Sequence, residues 1–152
     1  MKCKEVKRLR NPHVLANVIY NNFMYLAEFP ELQHDKKSII DTLKLENNVC
    51  YLVYFGSKLV AYLVGDFRTL NDGRHIFYIS YVYVIESYRG KKIGSQLMNL
   101  IIDKCKGKVE CIVLTCDTDD MKVMKFYERY GFKSDTVLGN KNKRHDVLCK
   151  YL

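Results

Sequence analysis

From Ile76 to Ile85 every residue except Ser80 is aliphatic or aromatic. Such a run suits a strand buried on both faces, which belongs inside a sheet and not at its edge. It breaks at once into a polar turn, Glu86-Ser87-Tyr88-Arg89-Gly90-Lys91-Lys92, and then the periodicity changes. Ile93, Leu97, Leu100, Ile101 and Cys105 recur at helical spacing and predict an amphipathic helix to about Lys106. A strand, a basic glycine-bearing turn and a helix in direct succession form a cradle for an anion. Backbone N–H groups of the turn and of the helix N-terminus point outward, and lysines add charge. Two common cradles are excluded: the three glycines of a dinucleotide site and the Gly-Lys-Ser/Thr of a P-loop are both missing.

The rest of the chain arranges itself around this unit. Lys4–Leu9 reads as a first strand, and because Lys2, Lys4, Lys7, Arg8 and Arg10 alternate with Cys3, Val6 and Leu9, as an edge strand. Asn11-Pro12 signals a helix start, and Val14, Leu15, Val18, Ile19, Asn22 and Leu26 continue at helical spacing until Phe29-Pro30 closes the helix. A second helix is predicted from Asp35 to Leu45. Val49–Phe55 and Leu59–Phe67 form a hairpin about Gly56-Ser57-Lys58, and Asn71-Asp72-Gly73 turns the chain into the long apolar run. Past the cradle helix, Cys111–Cys116 is a short buried strand. Asp117–Asp120 crosses to a helix sharing Val123, Met124, Tyr127 and Tyr130 on one face, and Gly131 stops it. Strands at Ser134–Leu138 and Asp146–Tyr151 flank a basic loop, Asn140–Arg144. The predicted order is β-α-α-β-β-β-α-β-α-β-β, an α/β chain with a mixed sheet. No repeat, low-complexity linker or boundary divides it, so one domain over residues 1–152 is expected.

Composition narrows the partners. The formal charge of +8 favours anionic ligands: nucleic acid, anionic lipid or a phosphorylated metabolite. No run is long enough to span a membrane, and the N-terminus lacks the apolar block of a signal peptide. The six cysteines contain no C-x-x-C pair and lie mostly in apolar runs, which predicts reduced, buried thiols, no metal and a cytoplasmic location.

Val84, Tyr88, Arg89 and Gly94 resemble the acyl-CoA pyrophosphate loop of the GNAT superfamily of N-acetyltransferases, written Arg/Gln-x-x-Gly-x-Gly/Ala after a strand ending Val-x-x-x-x-Tyr. Lys92 stands where that family usually has its first glycine, and a side chain there is expected to require an ordinary backbone conformation. A second segment, Leu114-Thr115-Cys116-Asp117 followed by Phe126-Tyr127-Glu128-Arg129-Tyr130-Gly131-Phe132, resembles the family's strand and helix ending Phe-Tyr-x-x-x-Gly-Phe. The element order matches the GNAT fold along essentially the whole chain.

The resemblance implies direct transfer of acetyl from acetyl-CoA to a primary amine. The pyrophosphate would be held by Gly90, Lys91, Lys92, Ile93, Gly94 and Ser95, with Arg89 nearby. The pantetheine arm would pair like an added strand with Val82, Tyr83 and Val84, where the central strand splays from its neighbour. The Val82 or Tyr83 amide would face the thioester oxygen. Tyr127, whose phenol with a pKa of about 10 is protonated at neutral pH, would lie at the thioester and give a proton to the departing thiolate. The base remains open among Asp117, Ser80 through water, and Tyr81, with Asp117 preferred.

The second segment is similar to glucosamine 6-phosphate N-acetyltransferases, which implies a phosphorylated amino-sugar acceptor and a homodimer. It departs from them at Thr115, in two extra residues between its halves, and in Ser80-Tyr81 where they carry Glu-Asp. A phosphate-bearing acceptor would suit a basic mouth, for which Arg74, His75, Lys141, Lys143, Arg144 and His145 are candidates. Diamines, protein lysines and protein N-termini are alternative acceptors. Two readings of other classes are a scaffold that binds acetyl-CoA without turnover, and a basic domain that stacks nucleic-acid bases on Tyr78, Tyr81 and Tyr83. The doubly buried strand and the absent RNA-recognition signature argue against nucleic acid.

Overall fold

A computed structural model describes residues 1–6, 9–24, 34–140 and 144–152. The expected closure at Phe29-Pro30, the end of the first strand and most of the basic loop lie outside them. The elements are β1 (Lys2–Val6), α1 (Pro12–Asn22), α2 (Lys36–Leu43), β2 (Asn48–Phe55), β3 (Lys58–Thr69), β4 (His75–Val84), α3 (Ile93–Cys105), β5 (Cys111–Asp117), α4 (Met121–Arg129), β6 (Lys133–Ser134) and β7 (His145–Tyr151). Their order is the one read from the sequence. The strands form a mixed seven-stranded sheet in the order β1-β2-β3-β4-β5-β7-β6.

The chain divides into two compact units. The first comprises Met1–Asp66 and Tyr81–Leu97. Its β1 is an exposed edge strand paired antiparallel with β2, Lys2 opposite Tyr54 and Val6 opposite Cys50. Lysines along that edge discourage pairing with another chain. The β2–β3 hairpin turns through Gly56-Ser57, with Phe55 opposite Lys58 and Gly56 at φ +62°. Both helices of this unit start on side-chain caps: the Asn11 side chain accepts from the His13 amide, and the Asp35 side chain accepts from the Ser38 amide. Each satisfies a donor that helix geometry leaves unpaired. The helices close over Leu15, Ala16, Ile19, Ile39, Leu43, Cys50, Leu52, Tyr62, Val64 and Tyr81.

The second unit comprises Phe67–Ser80 and Met98–Leu152. Here β4 and β5 pair in parallel from Ile76↔Cys111 to Ile79↔Leu114, and β5 pairs antiparallel with β7 through seven residues. Ile76, Cys111, Val113 and Cys149 are its buried centre. The Asp120 side chain caps α4 by accepting from the Val123 amide, and Gly131, at φ +88°, ends it. Two expectations need correction. The strand expected over Ser134–Leu138 is only Lys133–Ser134, because the Asp135 carboxylate accepts from the Val137 and Leu138 amides and bends the chain into a turn. Leu100, placed on the apolar stripe of α3, is exposed; Met98 is buried instead, beside Ile93, Leu97, Ile101 and Cys105.

Candidate functional site

The anion cradle lies in the first unit. After Val84, a single 3₁₀ turn at Glu86–Tyr88 folds the chain back, the Tyr88 amide donating to Ile85 O at 2.8 Å and the Arg89 amide to Glu86 O at 3.1 Å. Gly90 then takes φ +78° and Lys92 φ +64°. Lys92 therefore does not adopt the ordinary conformation its side chain led us to expect. It occupies the left-handed region that a glycine would enter freely, at a strain of about 1–2 kcal/mol for an L-residue. The Lys92 carbonyl accepts from the Gln96 amide at 3.0 Å, which starts α3. Buried Ile93 anchors the first turn in the core, while Gly90, Lys91 and Lys92 are exposed. Helix geometry directs the amides of that first turn outward along the axis. Two left-handed residues, a helix N-terminus and three cations within Arg89–Lys92 fit a pyrophosphate.

Arg89 is held against its own strand. Its Nε donates to Val84 O at 2.8 Å, and its guanidinium lies 5.2 Å from the centre of the Tyr83 ring. Tyr88 is flanked by Phe55, with ring centres 5.7 Å apart, and by the ammonium groups of Lys58 and Lys91 at 5.5 and 5.1 Å. Val82, Tyr83 and Val84 are half-buried. Tyr83 stacks on Tyr62 at 6.1 Å and meets the edge of Phe23 at 5.7 Å, and Tyr81 is buried.

Tyr127 and Asp117 lie in the second unit. Tyr127 is buried on α4, its ring centre 5.4 Å from Phe126 and 5.5 Å from Phe132. The Phe132 amide returns to Tyr127 O at 3.1 Å, so the turn at Gly131 fixes the aromatic pair. Asp117 ends β5. Its carboxylate accepts from the Asp119 amide at 2.9 Å and from Arg144 Nε and Nη2 at 3.3 and 3.4 Å. These partners tie β5 to the start of β7 and occupy both oxygens of the residue favoured as base. Cys116 beside it is buried, and desolvation pushes its thiol up to about 12.

Three described residues of the basic mouth expected for a phosphorylated acceptor have partners within the chain. Arg74 is paired with Asp72 and Asp135, Arg144 with Asp117 and Asp119, and His75 Nδ1 with Thr69 Oγ1. Lys141 and Lys143 lie outside the described residues. What sequence reasoning missed is the pairing of Tyr81 with His34 through a hydrogen bond between its hydroxyl and Nδ1. No periodicity signals a contact across 47 residues.

The sequence model described as the Acetyltransferase (GNAT) family matches residues 17–132. The chain belongs to that family. The match covers both the cradle and the Tyr127 segment, and the activity it carries is acetyl transfer from acetyl-CoA. Solved GNAT structures resemble the whole fold. Arabidopsis thaliana Naa50 in complex with the bisubstrate analogue CoA-Ac-MVNAL is 24% identical, with a TM-score of 0.69 and all of both chains covered. Arabidopsis thaliana NAA60 in complex with acetyl-CoA is 12% identical, with a TM-score of 0.69 and 99% of each chain covered. The ribosomal-protein-S18-alanine N-acetyltransferase of Escherichia coli is 15% identical, with a TM-score of 0.67 over 97% of this chain and 91% of that one. No curated protein sequence matches. Among the described residues there is no group of side chains suited to a metal ion, and no helix is long and apolar enough to cross a membrane.

Proposed function

We propose that this member of the family acetylates the free amine of a peptide, using acetyl-CoA as donor. The observation that carries the donor half is the turn from Arg89 to Gly94, where Lys92 holds a glycine's conformation directly before α3. A strained lysine in a cradle of this shape makes sense if its backbone and its charge are both used on a pyrophosphate. Amides of Gly90 to Ser95 hold the diphosphate, and backbone of Val82 and Tyr83 pairs with the pantetheine amides. The Val84 carbonyl is already taken by Arg89. Tyr127 supplies the proton to the leaving thiolate.

The acceptor half rests on how two described arginines of the expected basic mouth are engaged. Arg74 and Arg144 are bound to carboxylates of their own chain. Proteins that share the fold include Naa50, solved with the bisubstrate analogue CoA-Ac-MVNAL, and a ribosomal-protein-S18-alanine N-acetyltransferase, which supports a peptide acceptor. Glucosamine 6-phosphate stands second, supported by the similarity of Leu114–Asp117 and Phe126–Phe132 to that branch. A homodimer belongs to that second reading.

Calorimetry with acetyl-CoA tests the donor, and a panel of the peptide MVNAL, glucosamine 6-phosphate and spermidine, followed by thiol release, tests the acceptor. Gly94→Glu should weaken acetyl-CoA binding at least tenfold, because a carboxylate would face the diphosphate. Equal affinity in that variant places the donor elsewhere, and turnover confined to the sugar phosphate reverses the order of acceptors.

A further inference from the structure

We propose that Tyr81 and His34 form a relay that takes the proton from the attacking amine to solvent, an assignment that rests on the acetyl-transfer reading above. Tyr81 is buried in β4, one residue and about 3.3 Å of strand rise before Val82, whose backbone is assigned to the pantetheine arm. His34 immediately precedes Asp35, the cap of α2, and is exposed. Their side chains meet at 2.5 Å between the Tyr81 hydroxyl and His34 Nδ1, with the rings edge to face at 5.6 Å. Phe23 packs 6.0 Å from Tyr81. The Tyr81 ring is thus packed on Phe23 while its hydroxyl is bonded to the exposed His34.

A phenol alone, with a pKa of about 10, accepts no proton at neutral pH unless its own proton can leave. An imidazole, with a pKa of about 6.5, can receive it. In the tautomer carrying its proton on Nε2, His34 accepts from Tyr81 through Nδ1. As the amine nitrogen bonds to the acetyl carbon and the carbon–sulfur bond breaks, the amine proton passes to the Tyr81 oxygen and the Tyr81 proton passes to His34. The imidazolium then loses a proton to water, the thiolate is protonated by Tyr127, and the Tyr127 phenolate regains a proton from water. Atoms and charges balance, with one amide and one thiol formed. Asp117, the base preferred from the sequence, has both oxygens occupied.

The charged groups beside His34, among the described residues, are Asp35, which couples to it electrostatically, and the lysines at the start of α2, of which Lys36 rests over the Tyr20 ring at 5.2 Å. Phe23 from the end of α1 and Tyr81 from β4 carry no charge at neutral pH.

The test follows kcat/KM for the best amine of the panel from pH 5.5 to 9 in the wild type, His34→Asn, His34→Gln and Tyr81→Phe, with the ring of His34 titrated by NMR in the free protein. The wild type should lose rate on the acid side with a slope of two, one proton for the amine and one for an imidazole whose kinetic pKa equals the NMR value. His34→Asn keeps a partner for the hydroxyl but does not titrate. It should lower kcat/KM at pH 7 at least tenfold and reduce the slope to one, with acetyl-CoA affinity unchanged. His34→Gln should do the same, and Tyr81→Phe should match the loss and displace the His34 titration. A wild-type rate and slope in His34→Asn overturns the relay and leaves a structural hydrogen bond. Absence of acetyl-CoA binding by the wild type overturns the acetyl-transfer reading instead, so the two failures are distinct.

Discussion

Arg74 grips Asp135 through both terminal nitrogens, Nη1 to Oδ1 at 2.7 Å and Nη2 to Oδ2 at 2.9 Å, although 61 residues separate them. Asp135 is buried, and the same carboxylate accepts the Val137 and Leu138 amides. Asp72 and the Tyr151 hydroxyl complete the shell of the guanidinium. The turn before β4 is thereby fastened to the turn after β6. The Arg74 guanidinium holds the Asp135 carboxyl well below the usual carboxylate range, and burial opposes that only in part. A depressed folded pKa means that the stabilisation is complete above the unfolded value of about 4 and is lost as pH falls toward the folded value. Asp135→Asn should therefore cost about 3–5 kcal/mol at pH 7, as breaking a buried pair does. The gap to wild type should narrow by about 1.4 kcal/mol per pH unit below about 4. Urea denaturation at pH 7 and pH 3 reads both quantities, and a gap that stays constant with pH would disprove the linkage.

Lys92 offers two effects that separate cleanly. Its φ of +64° strains the folded backbone, and its ammonium stands at the cradle. Lys92→Ala keeps the strain and removes the charge; Lys92→Gly removes both. Lys92→Gly should melt higher than Lys92→Ala by about 1 kcal/mol, the cost of a side chain in the left-handed region. Both should bind acetyl-CoA more weakly than the wild type at low salt, and by similar factors, because both lose the same cation. The difference from wild type should shrink as salt screens the charge. Parallel thermal melts and calorimetric titrations at low and high salt decide it.

What the sequence made legible was whatever repeats locally. The apolar run to Ile85 located β4 to within one residue, the spacing of Ile93 and Leu97 located α3, and the crossing Asp117–Asp120 stood directly before α4. The cradle was legible as a site because strand, turn and helix are neighbours in the chain. Long-range chemistry was not. Arg74–Asp135 and His34–Tyr81 join segments far apart, and nothing local distinguishes Arg74 bound to a carboxylate from Arg74 awaiting a phosphate. The Ser134–Leu138 strand failed for a related reason: its apolar residues fit a strand, but the Asp135 carboxylate captures the amides that a ladder would need.

The cysteines give a prediction that bears on any thiol-release assay. Cys50, Cys105, Cys111, Cys116 and Cys149 are buried, and Cys3 is exposed. Desolvation pushes the thiols of Cys50, Cys105, Cys116 and Cys149 up to about 12, and raises that of Cys111 as well. Since the thiolate is the nucleophile, these five should resist alkylation at pH 8 in the folded protein. Iodoacetamide should label Cys3 first, with one adduct by intact-mass spectrometry and all six only in denaturant. Rapid labelling of a second site in the folded state contradicts the burial. Cys3→Ser should remove the fast background without changing turnover.

Tyr127→Phe is the sharpest test of the acid. The substitution keeps the ring that packs against Phe126 and Phe132 and takes away only the hydroxyl, so the fold should lose about 1 kcal/mol or less. If that hydroxyl protonates the leaving thiolate, its contribution exists only while the carbon–sulfur bond is breaking. The fall should then appear in kcat and kcat/KM alike, by tenfold or more, with the acetyl-CoA dissociation constant within about twofold of wild type. A raised KM at constant kcat would instead describe a binding contact. Single-turnover measurement is the right check, because slow product release would mask a change in the chemical step. Unchanged single-turnover rates at saturating acceptor would leave Tyr127 as a packing residue and require the thiolate to depart without a protein acid.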